Sequence, residues 1–316
     1  MINKNISVIY FTYKRAILLH ASYKSLKENF QNFNNDIKII YHHNKLHEES
    51  YDKFFNENPF LKTNLIYREK KNYLNNNLKI LRPLNLLWLA RWPKMILEFN
   101  TFKYLLEYVI QNIKNDFVMF VPDDQIFYKQ TTIPKKALQL ISENKDSMYY
   151  RFFTGNHFVG KYSLPPKLTL EKFESDGVKF FKWSNKDKNA INLWNYRFTI
   201  EGTIFHKVGL LKLLKPMIYH NPITLEAIGL WESRFRGLFV NGLSSEERTA
   251  ATYNINNVQQ LVNTPNSFHN ADKLMEYYNQ GYRLEYNEKD FDRTKLDIVP
   301  NKITLKHYST DNILNF

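Results

Sequence analysis

Residues 6–12 read ISVIYFT, and this run is the main evidence for the class of the fold. It is almost continuously β-branched or aromatic, a pattern typical of a parallel strand that is buried on both faces. A helical pattern follows at residues 16–30, and IKIIY at residues 37–41 predicts a second strand. Strand, helix and strand are the opening of a βαβ unit. The sequence therefore predicts an α/β fold, in which a mixed, mainly parallel sheet is flanked by helices.

The rest of the chain continues to alternate between apolar runs and amphipathic segments. Helices are predicted at about residues 48–56, 84–113 with an interruption at Pro93, 132–144, 210–214, 224–237 and 271–279. Strands are predicted at residues 64–67, 117–121, 147–153, 180–183 and 197–200. The spacing of the predicted helices and strands changes near residue 130, and no flexible linker separates the two parts. We therefore expect one domain of two halves, 1–130 and 131–316.

The charge and the cysteine count limit the function classes. The 316 residues include 44 Lys+Arg against 31 Asp+Glu, a net charge of +13, and no cysteine. Disulfides, cysteine zinc sites, iron–sulfur clusters and a cysteine nucleophile are therefore excluded. The basic excess suits nucleic acid, an anionic membrane surface or phosphorylated small molecules. The codon bias of an AT-rich genome is an equally good explanation, since Lys, Asn, Ile, Phe and Tyr are abundant.

Targeting signals are absent from the sequence. The N-terminus shows no signal-peptide architecture, and no apolar run approaches the length of a membrane span. We therefore expect a cytoplasmic protein, with a peripheral position at the inner membrane face as an extension of that expectation.

The strongest local feature is Asp123-Asp124, which follows the apolar run FVMFV at residues 117–121. In open α/β sheets, ligands bind beyond the carboxyl ends of the strands. Two carboxylates at that place can hold a hard divalent cation, which predicts Mn²⁺ or Mg²⁺. The alternative is a purely structural turn, because Pro-Asp-Asp is favourable turn chemistry.

The loop after the first strand is the second candidate. It reads Thr12-Tyr13-Lys14-Arg15, and in a βαβ opening a nucleotide base or phosphate would lie here. The helix N-terminus and Arg15 favour an anion. No GxGxxG follows the strand, which argues against a dinucleotide-binding Rossmann fold, and no GxxxxGK[ST] occurs, which excludes a P-loop NTPase.

Together these residues resemble the GT-A glycosyltransferases. The first strand ends in Thr-Tyr-x-Arg, and a later strand delivers an acidic pair in FVPDDQIF, at residues 120–127. The DxD signature of that fold is matched only in part, because Gln125 stands where the second Asp is expected.

The second half extends the resemblance to nearly the whole chain. The matching segments are RFFTGN at residues 151–156, WNY at 194–196, IEGTIF at 200–205, NPITLE at 221–226 and NINNVQ at 254–259. Each motif is weak alone, but their order is moderately specific. The resemblance implies a nucleotide-sugar-binding half at residues 1–130 and an acceptor-binding half at residues 131–316.

The resemblance also implies roles for individual residues. Thr12, Tyr13, Arg15, Asp123 and Arg151 would bind the donor, most simply a UDP-sugar. Asp123, Asp124 and His307 would bind the divalent cation. Glu201 or Glu226 would act as the base for the acceptor hydroxyl or as its anchor. The acceptor would be a glycan, a lipid-linked sugar or a protein, as in bacterial cell-surface polysaccharide biosynthesis.

Each of these residues has a structural alternative. Glu226 could be a favourable charge at a helix N-terminus, Glu201 a structural hydrogen-bond acceptor, and Arg151 half of a buried ion pair. Trp183, Trp194, Tyr196 and Trp231 could stack on sugars, although large aromatic residues more often form the core.

Two other functions compete with glycosyl transfer. The charge and the aromatic residues would suit a nucleic-acid-binding protein, but Lys and Arg are spread along the chain and no RNA-binding motif occurs. A sugar nucleotidyltransferase would share the βαβ opening, but its Gly-rich, Arg-containing phosphate loop is missing. The sequence favours a transferase that has no nucleic-acid partner.

Overall fold

The fold was obtained as a computed structural model. It describes residues 6–31, 36–42, 45–62, 65–67, 85–86, 88, 90, 95–255, 270–291, 297–298 and 303–315. The α-helices include α1 (Ala16–Asn29), α2 (Glu48–Glu57), α3 (Pro59–Lys62), α4 (Met95–Asn112), α5 (Lys135–Glu143), α6 (Lys207–Leu214), α7 (Pro222–Phe235) and α8 (Ala271–Asn279). None of the described helices is long and apolar enough to cross a membrane.

The strands of the main sheet come from both halves of the chain. They are β1 (Ile6–Thr12), β2 (Ile37–Tyr41), β3 (Leu65–Tyr67), β4 (Phe117–Pro122), β6 (Met148–Arg151), β7 (Glu171–Ser175), β8 (Val178–Ser184), β9 (Thr203–His206) and β10 (Asn241–Ser245). Within the described residues their order is β3-β2-β1-β4-β9-β6-β10-β8-β7. The first four strands run parallel, β9 is antiparallel to both β4 and β6, and β6 is parallel to β10. The predicted α/β class with a mixed, mainly parallel sheet is confirmed.

Two small sheets complete the described architecture. Their strands are β5 (Gln125–Phe127), β11 (Ala250–Tyr253), β12 (Tyr282–Glu285), β13 (Asp297–Ile298), β14 (Thr304–His307) and β15 (Ile313–Asn315). One sheet has the order β13-β11-β5 and the other β12-β14-β15. Because β5 begins directly after Asp123-Asp124, the first small sheet fixes the chain on the far side of this acidic turn.

The apolar runs form strands because the sheet is covered on both faces. Along β1, Ile6, Val8 and Tyr10 pack into one core cluster, and Ile9 and Phe11 pack into the other. This alternation follows from the two-residue period of a strand. Helices α1, α2, α5 and α8 contribute to the first cluster, and α4, α6 and α7 contribute to the second.

Most of the predicted elements are present, with one clear error. The predicted strand at residues 197–200 is wrong, because this segment forms no strand and ends in a bend. Its apolar residues Phe198 and Ile200 are buried in the second cluster, which explains the strand-like pattern. The segment at 254–259 that contributed to the resemblance lies mostly outside the described residues.

Candidate active site

Most of the predicted site residues lie near one edge of the main sheet. Strands β1, β4 and β6 run in the same direction, so their carboxyl ends at Thr12, Pro122 and Arg151 share this edge. Strand β9 runs the other way and therefore begins here, with Thr203 paired to both Phe120 and Arg151. The edge thus collects loops from both halves of the chain.

Asp123 and Asp124 are joined by a single guanidinium. Arg15 Nη1 lies 3.2 Å from Asp123 Oδ1 and 2.6 Å from Asp124 Oδ2, and all three side chains are buried. Burial raises the pKa of Asp123, although Arg15 opposes the shift. Burial lowers the pKa of Arg15, but the charges of Asp124 and Asp123 outweigh it and the pKa is raised. The positive charge that balances Asp123 and Asp124 is therefore the guanidinium of Arg15.

The loop after β1 places an aromatic pair beside this ion cluster. The Tyr13 backbone N–H donates to Asp123 Oδ2 at 3.2 Å, and Lys14 has a left-handed φ of 57°. The Tyr13 ring stacks on His42, which follows β2, with ring centroids 4.7 Å apart. Lys14 Nζ lies 5.4 Å from the centroid of the Tyr13 ring. Tyr13, Lys14 and His42 are all partly exposed, so a flat, cationic surface faces solvent here.

The N-terminus of α1 is closed by side chains. The Arg15 backbone N–H donates to the Tyr51 hydroxyl at 3.1 Å, and the same hydroxyl lies 2.7 Å from Thr12 Oγ1. The Ala16 N–H points to Met275 Sδ at 3.2 Å. These groups occupy the helix N-terminus that we expected to bind a phosphate. Thr12 and Arg15 consequently support the loop, and Tyr13 and Lys14 form its exposed surface.

The expected metal ligands are not assembled. His307 lies on β14, where its Nε2 is 2.9 Å from the Gln280 carbonyl and its ring stacks on Tyr308. In the part of the chain that the structure describes, no three acidic or histidine side chains lie close enough to hold a metal ion. The structure therefore does not bring His307 together with Asp123 and Asp124, and the pairing of β14 with β12 holds His307 beside Gln280 and Tyr308.

A second cluster surrounds Glu226, which is partly buried in α7. The helix begins at a capping box, in which the Thr224 N–H donates to Asn221 Oδ1 at 2.8 Å and the Asn221 N–H donates to Thr224 Oγ1 at 3.1 Å. Burial raises the pKa of Glu226, while hydrogen bonds from the side chains of Thr199 and Tyr196 lower it. The Asn-Pro segment is thus a helix start that fixes the position of Glu226.

Arg151 interacts with the charges of both Glu226 and Glu201. Its side chain is fully buried at the end of β6, where Nη1 donates to the Leu193 carbonyl at 3.1 Å and the guanidinium lies 4.5 Å from the Tyr149 ring centroid. Burial lowers the pKa of Arg151, and the negative charges of Glu226 and Glu201 oppose this shift. Both predicted carboxylates therefore lie within electrostatic reach of the predicted arginine.

Gln125 and Gly202 bring the two clusters into contact. Gly202 follows Glu201 and has a φ of 44°, and the Gln125 side chain packs against its Cα. The Gln125 amide is buried and makes no hydrogen bond within the described residues. The glycine is needed because any larger residue would displace Gln125 or the backbone of Glu201.

Thr199 is absent from the sequence-based set of site residues. It lies two positions before Glu201, but nothing in the sequence shows which way its side chain points. Lys14 lies in the candidate loop and His42 follows the second predicted strand, but only the structure shows that both lie beside Tyr13. Tyr196 is a sugar-stacking candidate in the sequence, and in the structure its side chain donates a hydrogen bond to Glu226. Trp183 and Trp194 are fully buried and pack on each other, so they belong to the core, whereas Trp231 is exposed.

Comparisons with known proteins give a likeness of fold. No family model matches this chain, and no curated protein matches it. The chain is similar to S. aureus TarS 1–349 in complex with UDP, at 15% identity and a TM-score of 0.40, covering 76% of this chain and 57% of that chain. TarS 1–349 in complex with UDP-GlcNAc gives 16% identity and a TM-score of 0.35, covering 66% and 46% of the two chains.

The bifunctional glycosyltransferase WbbM, in its apo structure, is similar over 98% of this chain and 46% of its own, at 12% identity and a TM-score of 0.37. The chain spans about half the length of these solved structures. At such identities the likeness concerns the fold, and the function is argued below from the residues of this chain.

Proposed function

We propose that the protein is a glycosyltransferase, which moves a sugar from a nucleoside-diphosphate sugar to a hydroxyl of a glycan, lipid-linked or protein acceptor. The observation that carries the proposal is the placement of two clusters at one sheet edge. An exposed stacking surface lies at the ends of β1 and β2, and a pair of carboxylates around Arg151 lies across β4 and β9. Transfer of a glycosyl group with inversion needs a donor site and a base side by side.

The nucleoside would bind at Tyr13 and His42. Stacking of a base on an aromatic face contributes about 1–3 kcal/mol and tolerates any base. Lys14 offers its ammonium group to the diphosphate beside the same ring. The charge of Arg15 is offset by two carboxylates, so its role is to hold the loop in place. UDP and UDP-GlcNAc are the first probes to use, because similar folds were solved with them.

The reaction would take place at Glu226. Its raised pKa suits a base that accepts the proton of the acceptor hydroxyl as the oxygen attacks the anomeric carbon. The bond from that carbon to the diphosphate oxygen breaks, and the nucleoside diphosphate leaves with the electron pair. Glu201 would anchor the acceptor, and Arg151 would hold both carboxylates in position. This assignment describes a transfer with inversion.

The sequence-based prediction of Mn²⁺ or Mg²⁺ remains untested, and the residues present do not favour it. Arg15 lies between Asp123 and Asp124, where the cation was expected, and His307 is elsewhere. A divalent cation could bind only if the guanidinium moved away. No step of the proposed reaction therefore depends on a metal ion.

The deciding experiment combines binding with turnover. The intact protein is titrated calorimetrically with UDP and UDP-GlcNAc, and a panel of nucleotide sugars is then assayed for hydrolysis and for transfer. Saturable binding and release of a nucleoside diphosphate support the proposal. Pyrophosphate release from a nucleoside triphosphate and a sugar phosphate would instead identify a nucleotidyltransferase. A folded protein that binds no nucleotide sugar overturns the proposal.

A matched pair of variants tests the location of the nucleotide. Tyr13→Ala should weaken UDP binding by about 1–3 kcal/mol, because it removes the stacking surface. Tyr108→Ala removes a tyrosine that is 65% exposed on α4 and should leave the affinity unchanged. Equal affinity in Tyr13→Ala and the parent protein would place the nucleotide elsewhere.

A further inference from the structure

Arg197 and Arg234 are held together by a reciprocal pair of hydrogen bonds. Arg197 Nη1 donates to the Ser233 carbonyl at 3.5 Å, and Arg234 Nη2 donates to the Asn195 carbonyl at 3.1 Å. Each guanidinium thus reaches the backbone within two residues of the other arginine. The end of α7 and the segment that precedes Glu201 are tied together in this way.

Within the described residues, neither guanidinium is neutralised by an acid. Arg197 is 9% exposed, and the Nε atoms of both arginines are buried with no hydrogen-bond partner among these residues. Across the described ranges, no carboxylate forms an ion pair with either residue. Burial lowers the pKa of Arg197, and the charge of Arg234 lowers it further, opposed only by Tyr149.

Three other arginines are paired with carboxylates. Arg236 pairs with Glu232, Arg283 with Glu57, and Arg15 with two aspartates. Two adjacent cations in a poorly hydrated place repel each other, and the cost falls only when an anion binds between them. Guanidinium groups with free N–H donors are well suited to oxyanions, which they bind through charge-assisted hydrogen bonds.

An exposed aromatic surface adjoins the two arginines. The Arg234 guanidinium lies 6.0 Å from the ring centroid of Trp231, which is 53% exposed. Phe235, one helical turn later, is 76% exposed. Arg234 also lies on the same helix as Glu226, eight residues further along, which corresponds to about 12 Å. A ligand of two or three sugar units could span this distance.

We propose that Arg197 and Arg234 form a binding site for an oxyanion, a phosphate or carboxylate group, carried by a sugar whose ring packs on Trp231. The anion site is inferred from the positions and contacts of the two arginines, independently of the proposed function. Its use for an acidic acceptor sugar rests on the proposed function, since it places the acceptor hydroxyl at Glu226 and the acidic group two turns away.

Three sugars of equal size test the site. Glucose 6-phosphate, glucuronate and uncharged glucose are titrated into the intact protein at constant ionic strength, by calorimetry and by tryptophan fluorescence. We expect glucose 6-phosphate, glucuronate or both to bind and glucose not to bind. The preference between the first two identifies the group as phosphate or carboxylate. Absence of binding by either acid overturns the proposal.

Arg234→Gln is the decisive variant, and Arg236→Gln is its matched control. Loss of Arg234 should weaken binding by about tenfold or more, because a charge-assisted hydrogen bond is removed. Arg236 is paired with Glu232 and the Lys212 carbonyl, so its loss should leave the affinity unchanged. Equal affinity in Arg234→Gln and the parent protein overturns the proposal.

Thermal melting without ligand provides a second test. Arg234→Gln removes the hydrogen bond to the Asn195 carbonyl together with the repulsion on Arg197, so the melting temperature of each protein is compared with and without phosphate. Inorganic phosphate should raise the melting temperature of the parent protein but not that of the variant, with sodium chloride as the ionic control. A parent protein that phosphate does not stabilise contradicts the site.

The two proposals can fail separately. The sugar titrations need no donor, so an Arg234-dependent affinity would stand even if no nucleotide sugar bound at Tyr13. Conversely, if the protein turns over a donor but its affinity for acidic sugars does not depend on Arg234, the proposed transferase activity stands and the proposed acidic acceptor is wrong.

Discussion

The Gln125 side chain packs directly on the Cα of Gly202, in the space that a Cβ would need. Gln125 follows the acidic turn of the first half, and Gly202 follows Glu201 of the second half. This contact couples the positions of the two carboxylate clusters.

Gly202→Ala should destabilise the protein and lower its activity. A left-handed backbone costs an alanine about 1–2 kcal/mol, and the clash with Gln125 adds about 1–3 kcal/mol. Gly177→Ala is the control, because Gly177 has a φ of 74° with nothing within 4 Å of the added Cβ. Urea denaturation of both variants separates the two costs. If the additional Gln125→Ala change recovers no stability, the clash is not the cause.

Glu226→Gln should lower kcat by about 10²–10⁴ while UDP binds as before, because only the base is removed. The activity of the parent protein should fall on acidification at a pH above that of an ordinary glutamate, since burial raises the pKa of Glu226. Steady-state kinetics across pH measure both effects. Glu143→Gln, on the last turn of α5, is a control that should change neither. A kcat for Glu226→Gln equal to that of the parent protein would exclude Glu226 as the base.

Arg15→Met should make the melting temperature of the protein depend on Mn²⁺. In the parent protein the guanidinium neutralises Asp123 and Asp124, so we expect EDTA and Mn²⁺ to leave UDP affinity unchanged. Without Arg15, two buried carboxylates lose their partner, at a cost of about 3–5 kcal/mol, and Mn²⁺ should restore part of the melting temperature. Mn²⁺-dependent UDP binding in the parent protein would support the original sequence-based expectation instead.

Asp123 should make the protein less stable as the pH rises. Its pKa is raised by burial to about 7 in the folded state, whereas the unfolded chain has an ordinary value of about 4. Between these values the folded state binds more protons, so stability is fully present below about pH 4 and is lost towards pH 7, by at most about 1.4 kcal/mol per pH unit. Asp123→Asn should flatten this slope in urea denaturation measured from pH 4 to pH 8. An unchanged slope would mean that another group titrates.

The class of the fold and the candidate carboxylates could be predicted from the amino-acid sequence alone. The run at residues 6–12 and the one at residues 117–121 are apolar on both faces, and such runs are stable only inside a covered sheet. The expectation that Asp123 and Asp124 follow a strand comes from that local pattern. The short strand β5 and the strands β7, β9, β10 and β11 lacked a strong local signal, because their pairing depends on distant residues.

The tertiary structure decided which charges meet. Arg15 and Asp124 are 109 positions apart, so only the parallel pairing of β1 with β4 shows that the cation belongs to the acidic pair. The pairing of β14 with β12 likewise fixes the position of His307. Glu201 and Glu226 come within electrostatic reach of Arg151 only in the folded chain. Arg197 and Arg234, 37 positions apart by 234 − 197, gave no signal in the sequence, because an unneutralised pair is recognisable only once every nearby carboxylate has been located.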